Sequence, residues 1–91
     1  MSPRPRMSRR IRFSPEVTYF KPQGVPMRQL EVITLDDEEF EAIRLTQYEG
    51  LSQTQAAQKM QTSQSTLQRI ISSGLSKVAG ALVEGKAIRI E

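Results

Sequence analysis

The chain has 91 residues, with 13 basic and 10 acidic side chains, a net charge of +3, two Tyr, three Phe and no Trp. That suits one small domain with a modest core, burying about 60–65% of its unfolded surface. Cys and His are both absent, which excludes disulfides and thiolate metal sites and removes the commonest general base and zinc ligand. No apolar run could span a membrane, and the basic N-terminus lacks the apolar core of a secretory signal. A soluble cytoplasmic protein without metal or cofactor is expected.

Charge is strongly segmented. Residues 1–30 hold seven bases against Glu16, residues 31–50 seven acids against Arg44, and residues 51–91 five bases against Glu84 and Glu91. A basic extended arm (1–30) followed by a folded domain (31–91) is the predicted organisation. Met1 to Arg10 is too polar and proline-interrupted to fold alone. Ile11-Arg-Phe13 alternates like a strand. Turn chemistry at Pro22, Gly24 and Pro26 predicts a bent connection, with Tyr19 and Phe20 as packing anchors.

Leu30 to Leu35 is rich in branched residues and reads as a short strand. A first helix is predicted to start after Thr34 or Asp36 and to run to about Tyr48. Asp36, Asp37, Glu38 and Glu39 complement its dipole, and Phe40, Ile43 and Gln47 form a stripe widened by Ala42 and Leu45. Gly50 stops that helix. Ser52 caps the second, with Gln55 at the capping-box position, and Ser63 caps the third. The third helix carries Leu67, Ile71, Leu75, Val78 and Leu82 at spacings that extend it to about Val83. Gly74 and Gly80 each weaken it by roughly 1 kcal/mol unless they permit close packing. Ala87-Ile-Arg-Ile90 alternates like a brief edge strand. The predicted fold is mainly α, with an extended N-terminal arm and short terminal strands.

Between Gly50 and Val83 there is no carboxylate. Leu51, Ala56, Ala57 and Met60 make one apolar face and Leu67, Ile70 and Ile71 a second. The two short helices should pack through Ala56, Ala57, Met60, Leu67 and Ile70 or Ile71. The outward residues are six Gln, nine Ser or Thr, and the bases Lys59, Arg69 and Lys77. Donors without carboxylates suit a surface that approaches phosphates. The pattern predicts a helix-turn-helix, with an ordinary helical hairpin as the plainer alternative.

This segment resembles the fourth region of bacterial sigma factors, which reads promoter DNA. More of the chain resembles a small prokaryotic family of uncharacterised, predicted DNA-binding proteins. The matching pieces include Arg9-Arg-Ile-Arg-Phe13, Tyr19-Phe-Lys-Pro22, Glu39-Phe-Glu-Ala-Ile-Arg-Leu45, Glu49-Gly-Leu-Ser-Gln53, Leu67-Gln-Arg-Ile70 and Gly85-Lys-Ala-Ile-Arg-Ile-Glu91. The resemblance implies a sigma-like three-helix unit. This chain departs from it with Gln61 where such turns usually have Gly, and with Thr62 where Val is usual. It also has no Cys near Ser8.

If the third helix enters a major groove, its outward N-terminal residues Gln64, Ser65, Gln68, Arg69 and Ser72 are the candidate base readers. Arg suits guanine O6/N7 and Gln suits adenine N6/N7. Thr54, Gln55, Lys59 and Thr66 are the candidate phosphate contacts. Arg4, Arg6, Arg9 and Arg10 suit a narrow minor groove, a solvated tail, or a contact with the acidic segment of their own or a second chain. Four consecutive acids diverge around a helix and cannot converge on a metal. Ser73 and Lys77 have the spacing of a Ser–Lys pair but no evident oxyanion donors, so catalysis is not expected. The expectation is a sequence-specific binder of double-stranded DNA, a transcriptional regulator. It is expected to act as a homodimer, since one recognition helix gives little specificity. The alternatives are a protein-interaction module of the transcription machinery and a structured-RNA binder.

Overall fold

A computed structural model describes residues 15–91. The chain forms β1 (Tyr19–Phe20), a 3-10 turn (Met27–Gln29), β2 (Val32–Leu35), α1 (Asp37–Ile43), a π-helical segment (Arg44–Tyr48), α2 (Gln53–Met60), α3 (Gln64–Glu84) and β3 (Ala87–Ile90). It is mostly helical, with a small three-stranded sheet in the order β1-β3-β2. The predicted strand Ile11-Arg-Phe13 lies outside the described residues.

β2 and β3 are parallel, with Val32 opposite Ala87 and Leu35 opposite Ile90. A parallel pair needs a long crossover, and here all three helices form it. β1 runs antiparallel to β3 on the other side, Tyr19 opposite Arg89. One strand expectation is therefore corrected. Ala87–Ile90 is the middle strand rather than an edge, and it pairs with Val32–Leu35 in its own chain. Tyr19 and Phe20 are tied by their backbones, while the residues stay 50% and 53% exposed. They are not core anchors.

Asp36 caps α1 in a full capping box. Its side chain accepts from the Glu39 N–H (2.8 Å), and Glu39 Oε1 accepts from the Asp36 N–H (3.0 Å). The predicted stripe holds at Ala42 and Leu45, which join the core, and at the half-buried Phe40 and Ile43, and is corrected at Gln47. Glu39, Glu41, Ala42 and Leu45 are the buried positions, and Gln47 is exposed. Local pairing accounts for Glu41. Glu41, fully buried, receives a two-pronged contact from Arg44 at 3.0 and 2.9 Å, and Arg44 also reaches Glu49 at 3.2 Å. A buried carboxylate is tolerated only when paired in this way.

Two cores share α3. One contains Ala42, Leu45, Ala56, Ala57, Met60, Leu67 and Ile71, with Leu51 and Ile70 packed at its margin. Ile71 rather than Ile70 is therefore the fully engaged residue. Met60 and Leu67 are 0% exposed, and burying each fully is worth about 1.5–3 kcal/mol. The second core joins the C-terminal half of α3 to the sheet through Ala81, Ala87, Leu35 and Ile90, all buried.

Gly74 explains how α1 and α3 come so close. A Cβ there would lie 2.9 Å from Ile43 Cδ1 and 3.2 Å from Glu39 Cβ, so its absence permits the packing. The apolar stripe predicted along α3 holds only in part. Leu67 and Ile71 are buried, but Leu75 is 39% and Leu82 76% exposed, beside Val83 at 85%. Gly74 and Ala81 take the inward places instead.

Candidate nucleic-acid interface

The geometry between α2 and α3 starts from two capped ends. Ser52 accepts from the Gln55 N–H at 3.1 Å, and Gln55 Oε1 accepts from the Ser52 N–H at 3.0 Å, the predicted capping box. Ser63 accepts from the Thr66 N–H at 3.1 Å and donates to Thr66 Oγ1 at 2.9 Å. Neither helix has an acid in its first turn. The partial positive charge of both N-termini is thus left uncancelled by local carboxylates.

The turn itself is Gln61-Thr62-Ser63. Gln61 adopts φ 58° and ψ 48°, the left-handed region, and is the non-Gly residue with positive φ among those described. The strain expected from replacing Gly is therefore present, at roughly 1 kcal/mol. Hydrogen bonds hold it. The Thr62 N–H donates to the Ala57 carbonyl at 3.0 Å and the Gln61 N–H to the Gln58 carbonyl at 3.2 Å. Ala57, 4% exposed at the helix crossing, has a side chain small enough for the two axes to approach.

The predicted base readers are brought together. Ser65, Gln68, Arg69 and Ser72 line one shallow, open concavity on the outer face of α3, and all four are exposed. Gln64 is also exposed and sits just before them, its Oε1 accepting from Thr54 Oγ1 at 3.3 Å. That contact orients the Gln64 amide across the two helices and spends the Thr54 proton.

The predicted phosphate contacts do not form one set. Thr54 and Gln55 lie at the start of α2 on exposed positions, and the Gln55 amide oxygen accepts from the Ser52 N–H. Thr66 is half-buried, and its hydroxyl oxygen accepts from Ser63, which leaves its own proton to donate. Lys59 instead lines a separate concavity with Arg44, Leu45, Glu49 and Leu51. Arg4, Arg6, Arg9 and Arg10 lie outside the described residues.

Lys77, read from sequence as an outward base, is turned inward. Its Nζ contacts Glu39 Oε1 at 2.9 Å and the Thr34 carbonyl at 3.2 Å. Ser73 donates to the other Glu39 oxygen. The Ser–Lys spacing therefore serves to hold one buried carboxylate. Burial alone would raise the Glu39 pKa, but hydrogen bonds from Ser73, the Asp36 N–H and Lys77 outweigh it, so Glu39 titrates below its ordinary 4.5. Sequence reasoning missed the Glu41–Arg44 pair, although the i,i+3 spacing of opposite charges was a usable signal.

The assembly is a short helical pair, with a donor-rich, carboxylate-free outer face, propped on a small mixed sheet. This chain belongs to the family described as "Protein of unknown function DUF134", whose profile matches residues 1–91. It is 55% identical over 89 residues to a UPF0251 protein of Moorella thermoacetica, covering 98% of this chain and 60% of that protein. It is 48% identical over 88 residues to a UPF0251 protein of Halothermothrix orenii, covering 97% of this chain and 65% of the relative. A UPF0251 protein of Thermoanaerobacter pseudethanolicus is 54% identical over 89 residues, at 98% and 75% coverage. The chain thus spans less than two thirds of the length of the first two relatives. No solved structure matches it. Among the described residues no helix is long and apolar enough to cross a membrane.

Proposed function

We propose that α2, the Gln61–Ser63 turn and α3 form a sigma-like helix-turn-helix that reads double-stranded DNA, and that the protein is a cytoplasmic, non-catalytic transcriptional regulator. The observation that carries this reading is the shared exposure of Ser65, Gln68, Arg69 and Ser72 along one open face of α3. A helix pressed into a major groove needs its N-terminal outward residues free and its opposite side held down. Leu67 and Ile71 hold that side.

In this reading Arg69 takes a guanine O6/N7 edge, and Gln68 and Gln64 take adenine edges, each good bidentate contact worth about 1–3 kcal/mol of discrimination. Gln55, Thr66 and the amide ends of both helices face phosphates. One helix reads too few base pairs for useful selectivity, so a homodimer on paired half-sites completes the proposal. Lys59 and Thr54 carry less weight as phosphate contacts, because Lys59 lines a separate concavity and the Thr54 proton is spent on Gln64.

Unbiased selection from random duplexes with the purified protein tests it. The expected result is an enriched motif bound about 10³-fold or more above random sequence. Equal affinity for every duplex rejects the reading. Preferential recovery of folded RNA, or binding only to a protein of the transcription machinery, would assign the same surface to those partners instead.

A further inference from the structure

Thr54 and Gln64 stand ten residues apart in the chain, yet the Thr54 hydroxyl donates to Gln64 Oε1 at 3.3 Å. Thr54 is the second residue of α2 and Gln64 the first of α3, and both are exposed. A carboxamide has an acceptor end and a donor end of nearly equal size, so a solvated glutamine turns between two opposite readings. Here the surroundings separate them. The first turn of a helix presents backbone N–H groups rather than carbonyls, and neither helix start carries an acid to offset its positive end. The Gln64 oxygen therefore faces the two helix starts and the Thr54 proton, while its NH2 turns away from them.

We propose that Thr54 is a positioning residue for base selection, holding the Gln64 amide in the one orientation that matches adenine. The inference rests on the DNA-reading role of α3. In the major groove adenine offers its N6 amine as donor and N7 as acceptor. An amide oxygen accepts two hydrogen bonds. Gln64 Oε1 takes one from Thr54 and keeps a second place for the adenine amine, while its NH2 donates to N7. Reversed, the same amide would set its NH2 against the adenine amine, donor facing donor. It would then suit the O6 of guanine or the O4 of thymine instead.

Thr54 thus decides which bases Gln64 refuses, without touching DNA itself. Specificity of this kind comes from penalising the wrong partner as much as from welcoming the right one. A neutral hydrogen bond biases the amide by a factor of about 2 to 10, and that factor sets the size of the effect.

The test compares wild type, Thr54→Val, Thr54→Ser and Gln64→Ala. Each is selected against random duplexes, then titrated with the enriched duplex carrying one exchanged base pair at a time. Valine keeps the branched shape at an exposed site and deletes only the hydroxyl. Thr54→Val should lose about 3- to 10-fold of adenine preference at the base pair that Gln64→Ala also affects, with preferences elsewhere in the site kept. Thr54→Ser should restore it, and adding Thr54→Val to Gln64→Ala should change nothing further. Equal weakening on every duplex makes Thr54 a phosphate contact and overturns the proposal. A wild-type chain that enriches no motif rejects the DNA reading and this inference together, whereas a motif unaltered by Thr54→Val rejects this inference alone. Nitrogen relaxation of the Gln64 side-chain amide checks the contact without DNA. It should be more restrained than that of Gln58, exposed on α2, and should match it in Thr54→Val; equal mobility in the wild type overturns the proposal.

Discussion

Lys77 Nζ lies 2.9 Å from Glu39 Oε1 and reaches across from the middle of α3 to the first turn of α1. The same carboxylate completes the α1 capping box and accepts from Ser73. One side chain thus caps a helix and clamps a second helix to it. Lys77 also touches the Thr34 carbonyl in β2, which brings the sheet into the same junction.

This junction predicts a pH dependence. Glu39 is held below its ordinary 4.5 in the folded chain, so its contribution is complete above that value. It is lost as pH falls through the lower, folded-state value. Glu39→Gln should cost about 1–2 kcal/mol at neutral pH and progressively less in acid. Thermal denaturation of both proteins from pH 7 to pH 3 checks this, and parallel curves would refute the assignment.

The left-handed turn predicts a gain. Gln61→Gly removes the strain of φ 58° and should stabilise the chain by roughly 0.5–1 kcal/mol. Urea denaturation should show a higher midpoint with an unchanged slope. A lower midpoint would mean that the Gln61 side chain contributes more than its backbone costs.

Gly74 predicts the opposite of helix propensity. Alanine is favoured over glycine by about 1 kcal/mol within a helix, yet a Cβ at this site meets Ile43 Cδ1 at 2.9 Å and Glu39 Cβ at 3.2 Å. Ile43 can swing its tip, but a Cβ bound to backbone cannot. Overpacking costs about 1–3 kcal/mol, so Gly74→Ala should be destabilising by about 1 kcal/mol in the same urea assay. A more stable variant would show that α1 yields freely.

Arg69 is exposed, in the open concavity of α3, so its removal should spare the fold. Arg69→Ala is expected to keep the melting temperature within about 4 °C, since surface changes fall within about 0.5 kcal/mol. Affinity for the selected duplex should fall 5- to 150-fold, the equivalent of 1–3 kcal/mol, with relaxed preference at one base pair. Unchanged binding in a mobility-shift titration removes Arg69 from the site.

Much of the helical pair was legible because its signals are local. Ser52 with Gln55, Ser63, and the apolar positions Ala56, Ala57, Met60 and Leu67 act within a few residues of one another, and each does its predicted work. Failures came where distant parts of the chain meet. Ala87–Ile90 shows the alternation of a half-buried strand, but nothing in that alternation reveals that Val32–Leu35 and Tyr19–Phe20 will flank it. The burial of Glu39 and Glu41 on α1 is not legible, because both look like solvent-facing acids until Lys77, Ser73 and Arg44 are in position. Leu75 and Leu82 follow the same spacing as Leu67 and Ile71, yet the first helical layer ends before it can cover them.

The position of β3 governs the order in which the molecule can be made. Thr34 and Arg89 touch across 55 residues, and every ladder in the sheet uses β3. While a ribosome is still adding α3, β1 and β2 have emerged without a strand to join. The helical half can form during synthesis from nearby contacts, but the sheet is a clasp that shuts only after Ile90 has cleared the exit tunnel. Until then, unpaired strand backbone lies open to other nascent chains.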